Sequence, residues 1–217
     1  MAETPHFDAA ERDTLYRIIR ARRDMRHFLK GASVEAEVLR RILEAAHAAP
    51  SVGLMQPWRF IRIGDGLQRQ AIADLVDAEK ARTADALGER KAEFLRLKVE
   101  GIRDCAELIA VVQAPDDGTL FGRRTLADET ALCSTACAIQ NMWLAARAEN
   151  LGMGWVSLFD PQALAQQLNC PTDAHPIALL CIGPVEGFYP EPMLVQVGWR
   201  EERTLDNVLF EDCWPEG

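Results

Sequence analysis

Residues 138–160 read AIQNMWLAARAENLGMGWVSLFD. Ile139, Met142, Trp143 and Ala146 recur at three- and four-residue steps, the spacing of a helix face that packs on a core. They belong to a nearly uncharged helix expected over residues 127–150. It is apolar almost all round, which predicts a central, buried position. Leu151-Gly152 ends it in the manner usual for glycine. Residues 154–159 predict a strand, and Asp160-Pro161 then caps and opens another helix.

Upstream, a helix is expected over residues 8–23 with Asp8 as N-cap. A second starts near Ser33 and carries Val38, Leu39, Ile42, Leu43 and Ala46 on one face. It stops before Pro50, because a residue preceding proline disfavours the α region. WRFIRI (58–63) predicts a strand. Residues 67–98 predict one broken or two helices around Gly88, 108–112 a buried strand, and 116–125 a loop. Downstream, 177–182 is the most apolar strand. The tail from Pro184 carries Trp199 and Trp214 but cannot form its own core, so its aromatics are expected to pack on a partner subunit. The order α-α-β-α-α-β-α-β-α-β-tail predicts a single α+β domain over 1–217, with a mixed central sheet flanked by helices.

The chain has 217 residues, 24 Lys and Arg against 33 Asp and Glu, and a net charge of −9. That balance argues against a general nucleic-acid or membrane-surface binder, both of which need a basic face. No run reaches the roughly 18 apolar residues of a membrane span, and the polar, acidic start predicts no leader peptide. Cys105, Cys133, Cys137, Cys170, Cys181 and Cys213 are scattered, which predicts reduced, buried thiols in a cytoplasmic protein. None has zinc-ligand spacing, so no metal is expected. The glycine signatures of dinucleotide and P-loop sites are absent.

Four constellations can carry chemistry. In RARRDMR (20–26), four guanidinium groups surround Asp24. They form either a phosphate clamp or a solvated last helical turn. Asp24 among them is expected to stay ionised, its pKa depressed by opposite charge, and to orient the arginines or act as a base. In APSVGLMQPW (49–58), prolines fix a turn, Gly53 permits close approach, and Ser51 and Gln56 face whatever sits there. The glycines of LGMGWVS (151–157) let a strand lie against a flat ring, or simply end a helix. GWR (198–200) offers Arg200 to complete a clamp.

Together these motifs resemble the nitroreductase-like FMN family, with its R-x-S-x-R, P-S-x-x-N-x-Q-P-W and G-x-G-W elements and a basic residue near the C-terminus. The serine of the first is Asp24 here, and the asparagine of the second is Leu54. Both departures, with RRDMRHFL, LKVEGIRD and YPEPMLVQVGWR, look like a flavin-consuming branch. Its members use dioxygen to fragment reduced FMN into 5,6-dimethylbenzimidazole, the lower ligand of vitamin B12, and erythrose 4-phosphate.

The resemblance implies FMN as substrate, dioxygen as co-substrate and a separate NAD(P)H-dependent flavin reductase. It also implies a homodimer with flavin at the interface and a C-terminal arm (184–217) exchanged between subunits. By matching position, Arg22, Arg23 and Arg26 would hold the phosphate and ribityl region, with Arg200 a further candidate. Asp24 and Met25 lie in the same run. Ser51, Gly53 and Gln56 would contact the flavin from the loop, and Trp155 and Val156 through their backbone. Leu97, in a helical lid over 83–101, would cover the ring. Asp24 and Ser157 match positions used catalytically. A conventional NAD(P)H-dependent nitroreductase or flavin oxidoreductase that recycles its FMN shares all four motifs. A flavin-binding protein without chemistry leaves Asp24 and Ser157 without a role.

Overall fold

A computed structural model of the chain describes residues 4–214, so residues 1–3 and 215–217 of the expected domain and arm lie outside the described residues. Helix α1 (Ala9–Ala21) starts at the capping box formed by Asp8 and Glu11, each side chain accepting the other's backbone N–H at 2.8–2.9 Å. It ends two residues earlier than expected, because the chain straightens at Arg22. Helix α2 (Ala36–His47) is followed by the loop to β1 (Trp58–Arg62). Helix α3 (Gly66–Ala86) breaks at Gly88, whose φ of +56° is a conformation glycine adopts without strain, and α4 (Lys91–Leu95) follows. Then come β2 (Glu107–Gln113), α5 (Ala127–Ala148), β3 (Gly152–Val156), α6 (Pro161–Gln167), β4 (His175–Gly183) and the short α7 (Met193–Gln196). Helix α6 opens as expected, Asp160 accepting the N–H groups of Gln162 and Ala163.

The four strands are ordered β1-β2-β4-β3. All three pairings are antiparallel, so the sheet is not mixed as expected. Strand direction depends on where each connection re-enters the sheet. The α3–α4 excursion leaves β1 and returns to β2 at the same end, which reverses the second strand. Among the described residues the one parallel contact is an isolated bridge from Asp24 to Met153, on the outer side of β3.

Both faces of the sheet are covered. Leu108, Ala110, Leu179 and Cys181 face a core shared with Ile72 and Val76 of α3 and Leu164 of α6. Ile109, Val111, Leu180 and Ile182 face one shared with Ile42 of α2 and Ile139 and Met142 of α5. This two-sided burial explains the uninterrupted apolar runs of β2 and β4. Helix α5 is buried on that face alone: Leu132 is 47% exposed, and Cys133 and Cys137 lie open beside it. The expectation of an entirely buried helix is corrected, because its second apolar face has no cover among the described residues. The cysteine expectation is corrected likewise. All six thiols are free, but only Cys105 and Cys181 are buried.

The tail divides in two. Trp199 is half-buried against its own chain: the Arg90 guanidinium lies 3.5 Å above its ring, and Phe94 of α4 stands beside it. From Leu205 to Trp214 every residue is exposed, Trp214 to 82%.

Candidate active site

Residues 22–26 leave α1 in extended form and lie along β3. The Met25 N–H donates to Met153 O at 2.9 Å, and Trp143 Nε1–H of α5 reaches both Arg23 O and Met153 O at 3.1 Å. Glycine makes this approach possible. A Cβ on Gly154 would overlap the Met25 carbonyl oxygen and stand 2.5 Å from Arg26 Nη1. A Cβ on Gly152 would meet Val185 at 2.5 Å. The glycines of LGMGWVS therefore admit the arginine-rich segment and the chain's own tail, where a flat ring was one expectation.

The segment centres on Asp24. Its Oδ1 accepts Arg26 Nη1–H at 2.7 Å and the Trp155 N–H at 3.0 Å. Its Oδ2 accepts Arg26 Nη2–H at 2.6 Å. Arg26 Nη2 also donates to Trp155 O at 2.8 Å. The Arg26 side chain is 9% exposed and that of Asp24 43%. Each carboxylate oxygen has two lone pairs. Oδ1 uses both, and Oδ2 keeps one for an incoming group.

Burial pushes the Asp24 carboxyl above its usual range, and the Arg26 guanidinium, the Trp155 N–H and Arg22 pull it back only in part. The expected depression by arginines is corrected: desolvation penalises the charged form by more than the cations favour it. The result is a stronger base than an ordinary aspartate.

The arginines turn to different tasks. Arg26 is occupied by Asp24 and Trp155 O. Arg23 donates to Arg20 O, Arg22 O and Pro190 O at 2.7–2.9 Å, while its Nε–H is buried with no acceptor among the described residues. Arg22 stacks on Trp143, 4.6 Å from the ring centroid, and its guanidinium makes no hydrogen bond there. Arg20, Arg22, Arg23 and Asp24 line one wall of a cavity of about 500 Å³. Glu191, Met193, Leu194 and Glu202 of the tail line the other.

Ser157 is exposed just beyond β3, two residues after Trp155, and Val156 is buried in the core. Met25 is fully buried. The structure thus gathers Arg22, Arg23, Asp24, Met25, Arg26 and Trp155, with Val156 and Ser157 following Trp155 along the chain. It does not bring Ser51, Gly53 and Gln56 to them. Ser51 Oγ accepts the Gln56 N–H at 3.1 Å, closing the loop on itself. Gly53, at φ +57°, packs against Thr119 and Phe121. Gln56 lines a separate groove of about 800 Å³ between α2 and β1. Leu97 is half-buried after α4, its carbonyl accepting Lys80 Nζ–H at 3.3 Å. Arg200 is exposed beyond α7. Two residues not singled out from the sequence complete the site. Trp143 carries the bifurcated N–H, and Tyr189 meets the Arg26 backbone. The helical stripe marked Trp143 only as core, and Tyr189 stood unremarked in the YPEPML run.

Among the described residues no group of three or more His, Cys, Asp or Glu is arranged to hold a metal, and no helix is long and apolar enough to cross a membrane. The pattern of the Nitroreductase family matches residues 19–184. A 5,6-dimethylbenzimidazole synthase of Rhodospirillum rubrum is 41% identical over 206 residues, covering 94% of this chain and 97% of that protein. One of Rhodobacter capsulatus is 38% identical, covering 90% and 95%. An iodotyrosine deiodinase structure bound to FMN and 3-iodo-L-tyrosine shares the fold, with a TM-score of 0.72 at 20% identity over 92% of this chain and all of that one. The chain belongs to the nitroreductase family and, within it, to the branch of the 5,6-dimethylbenzimidazole synthases.

Proposed function

We propose that the chain catalyses the oxygen-dependent fragmentation of reduced FMN to 5,6-dimethylbenzimidazole and erythrose 4-phosphate, the carbons and nitrogens of the pyrimidine ring leaving separately. The observation that carries this reading is Asp24: a carboxylate with raised basicity, fixed by three N–H donors, with one Oδ2 lone pair free on a cavity wall. The cavity suits a phosphorylated ligand on its arginine side, where the Arg22 guanidinium has no hydrogen-bond acceptor among the described residues.

Bound FMN supplies the oxygen-reactive ring and the ribityl carbons that are cut. Arg22 and Arg23 hold the phosphate end, with Arg200 as a further cation. Asp24 Oδ2 takes the proton released on the ribityl side. Arg26 keeps Asp24 in place and balances its charge. The Ser157 hydroxyl, which can donate one hydrogen bond and accept two, steers an oxygen-bearing group. Leu97 and the lid over 83–101 exclude water and nicotinamide. A separate NAD(P)H-dependent reductase delivers the reduced flavin.

We propose that a partner subunit adds a further wall to this site, beside the one its own tail supplies. Ser51, Gly53 and Gln56 lie away from Asp24 in one chain, while Leu54, Phe121 and Leu132 stay exposed beside that loop. A homodimer seats the loop of one subunit over the 22–26 segment of the other. The exposed arm beyond Leu205 then lies on its neighbour. The test is incubation with reduced FMN in air, followed by chromatography. A benzimidazole product supports the reading. Intact flavin, together with rapid bleaching by NADPH in stopped flow, identifies a recycling oxidoreductase instead.

A further inference from the structure

Asp24 is held from one side by β3. The other side of the same segment is held by the start of the tail. Leu29 N–H donates to Pro184 O at 2.9 Å, and Arg23 Nη2–H to Pro190 O at 2.9 Å. Between these points Tyr189 Oη accepts the Arg26 backbone N–H at 3.2 Å and lies 2.6 Å from His27 Nδ1. The Tyr189 and His27 rings stand edge to face, with centroids 6.0 Å apart. Phe188 is anchored as well: the Arg147 guanidinium lies 3.9 Å over its ring and donates through Nε to Ala21 O. Residues 184–190 are therefore a strap across the outer face of the 22–29 segment.

We infer that Tyr189 is a positioning residue for Asp24, acting through the Arg26 backbone, with His27 orienting its hydroxyl. The hydroxyl accepts the Arg26 N–H and shares a second hydrogen bond with His27 Nδ1, the imidazole tautomer setting which of the two donates. With its N–H fixed, Arg26 enters the interior at a set angle. Its two terminal nitrogens then meet the two oxygens of Asp24 in a fork. The free lone pair of Oδ2 is thereby aimed into the cavity. Tyr189 itself does not line that cavity.

The proposal rests on the functional reading of Asp24, and its test separates the two. In full-length Tyr189→Phe, amide hydrogen exchange of Arg26 is expected to rise roughly tenfold, the scale of one net hydrogen bond. Exchange at Trp155, whose N–H is bound by Asp24, rises with it, while β2 and β4 amides stay at wild-type rates. FMN affinity, read by fluorescence quenching, stays within about twofold, and benzimidazole formed per flavin consumed falls about tenfold. A wild-type Trp155 amide and wild-type product yield would overturn the inference. If wild-type protein forms no benzimidazole, the functional reading fails, while the Trp155 amide still decides the positioning role. Should Tyr189→Phe not fold, His27→Ala decides. His27 is exposed, and its removal takes away the second hydrogen-bond partner of the Tyr189 hydroxyl. Trp155 exchange is then expected to rise about two- to threefold, and no change would refute the proposal.

Discussion

Replacing Asp24 with asparagine separates the chemistry of this carboxylate from its structural part. The amide keeps one oxygen for the Trp155 N–H and Arg26 Nη1–H, but its NH2 group then faces Arg26 Nη2, donor against donor. Losing a charge-assisted bond costs about 1.5–3 kcal/mol in a dry site. Solvent reduces that figure here, because the Asp24 side chain is 43% exposed and the pair is screened. The net stability change is expected within about 1 kcal/mol, or roughly 2–4 °C in Tm for a domain of this size.

Catalysis should respond on another scale. Loss of a positioned general base costs about 10²–10⁴-fold. FMN affinity stays near wild type, because Arg22 and Arg23 remain. The assay is anaerobic mixing with reduced FMN, exposure to air, and chromatography of the benzimidazole, with a thermal melt in parallel. Wild-type product yield from Asp24→Asn would refute the base role, however the melt behaves.

Other perturbations read other parts of the account. A base acts only when ionised, and burial raises the Asp24 pKa above the ordinary aspartate value of 3.8. Product yield should therefore fall as pH drops, with a limb displaced upward from 3.8 that Asp24→Asn lacks. An acid limb shared by both proteins assigns it to another group. Gly154→Ala would press a methyl group into the Met25 carbonyl and Arg26 Nη1. It is expected to destabilise by about 3 kcal/mol, the upper end for overpacking, and to lower FMN affinity; an unchanged urea midpoint would show that the segment does not need this close approach. Deleting residues 205–214, all exposed in the single chain, should preserve far-UV circular dichroism but halve the sedimenting mass. A dimer that survives the deletion removes the arm from the interface.

Local signals in the sequence were enough where structure is set locally. Asp8, Gly88 and Asp160-Pro161 mark helix boundaries through caps and backbone preferences that depend on a few neighbours. Strand direction was not legible, because it depends on where a long helical excursion returns. The burial of α5 was misjudged for a related reason: an apolar face says that something covers it, not whether the cover lies in the same chain. At the site, Asp24 stood out as a carboxylate among arginines. The division of labour among those arginines did not. Carbonyl groups brought in by Pro190 and Trp155, 167 and 129 residues away, decide which guanidinium is free. Tyr189 was equally hidden, because its partner is a backbone N–H with no signature of its own.

The central claim is that the protein destroys its flavin. The most direct measurement adds reduced FMN to the protein in air and counts flavin and benzimidazole by mass spectrometry after each of several additions. The account predicts one benzimidazole and one four-carbon sugar phosphate for every FMN lost, with loss abolished in Asp24→Asn. Quantitative recovery of FMN after every round would contradict it.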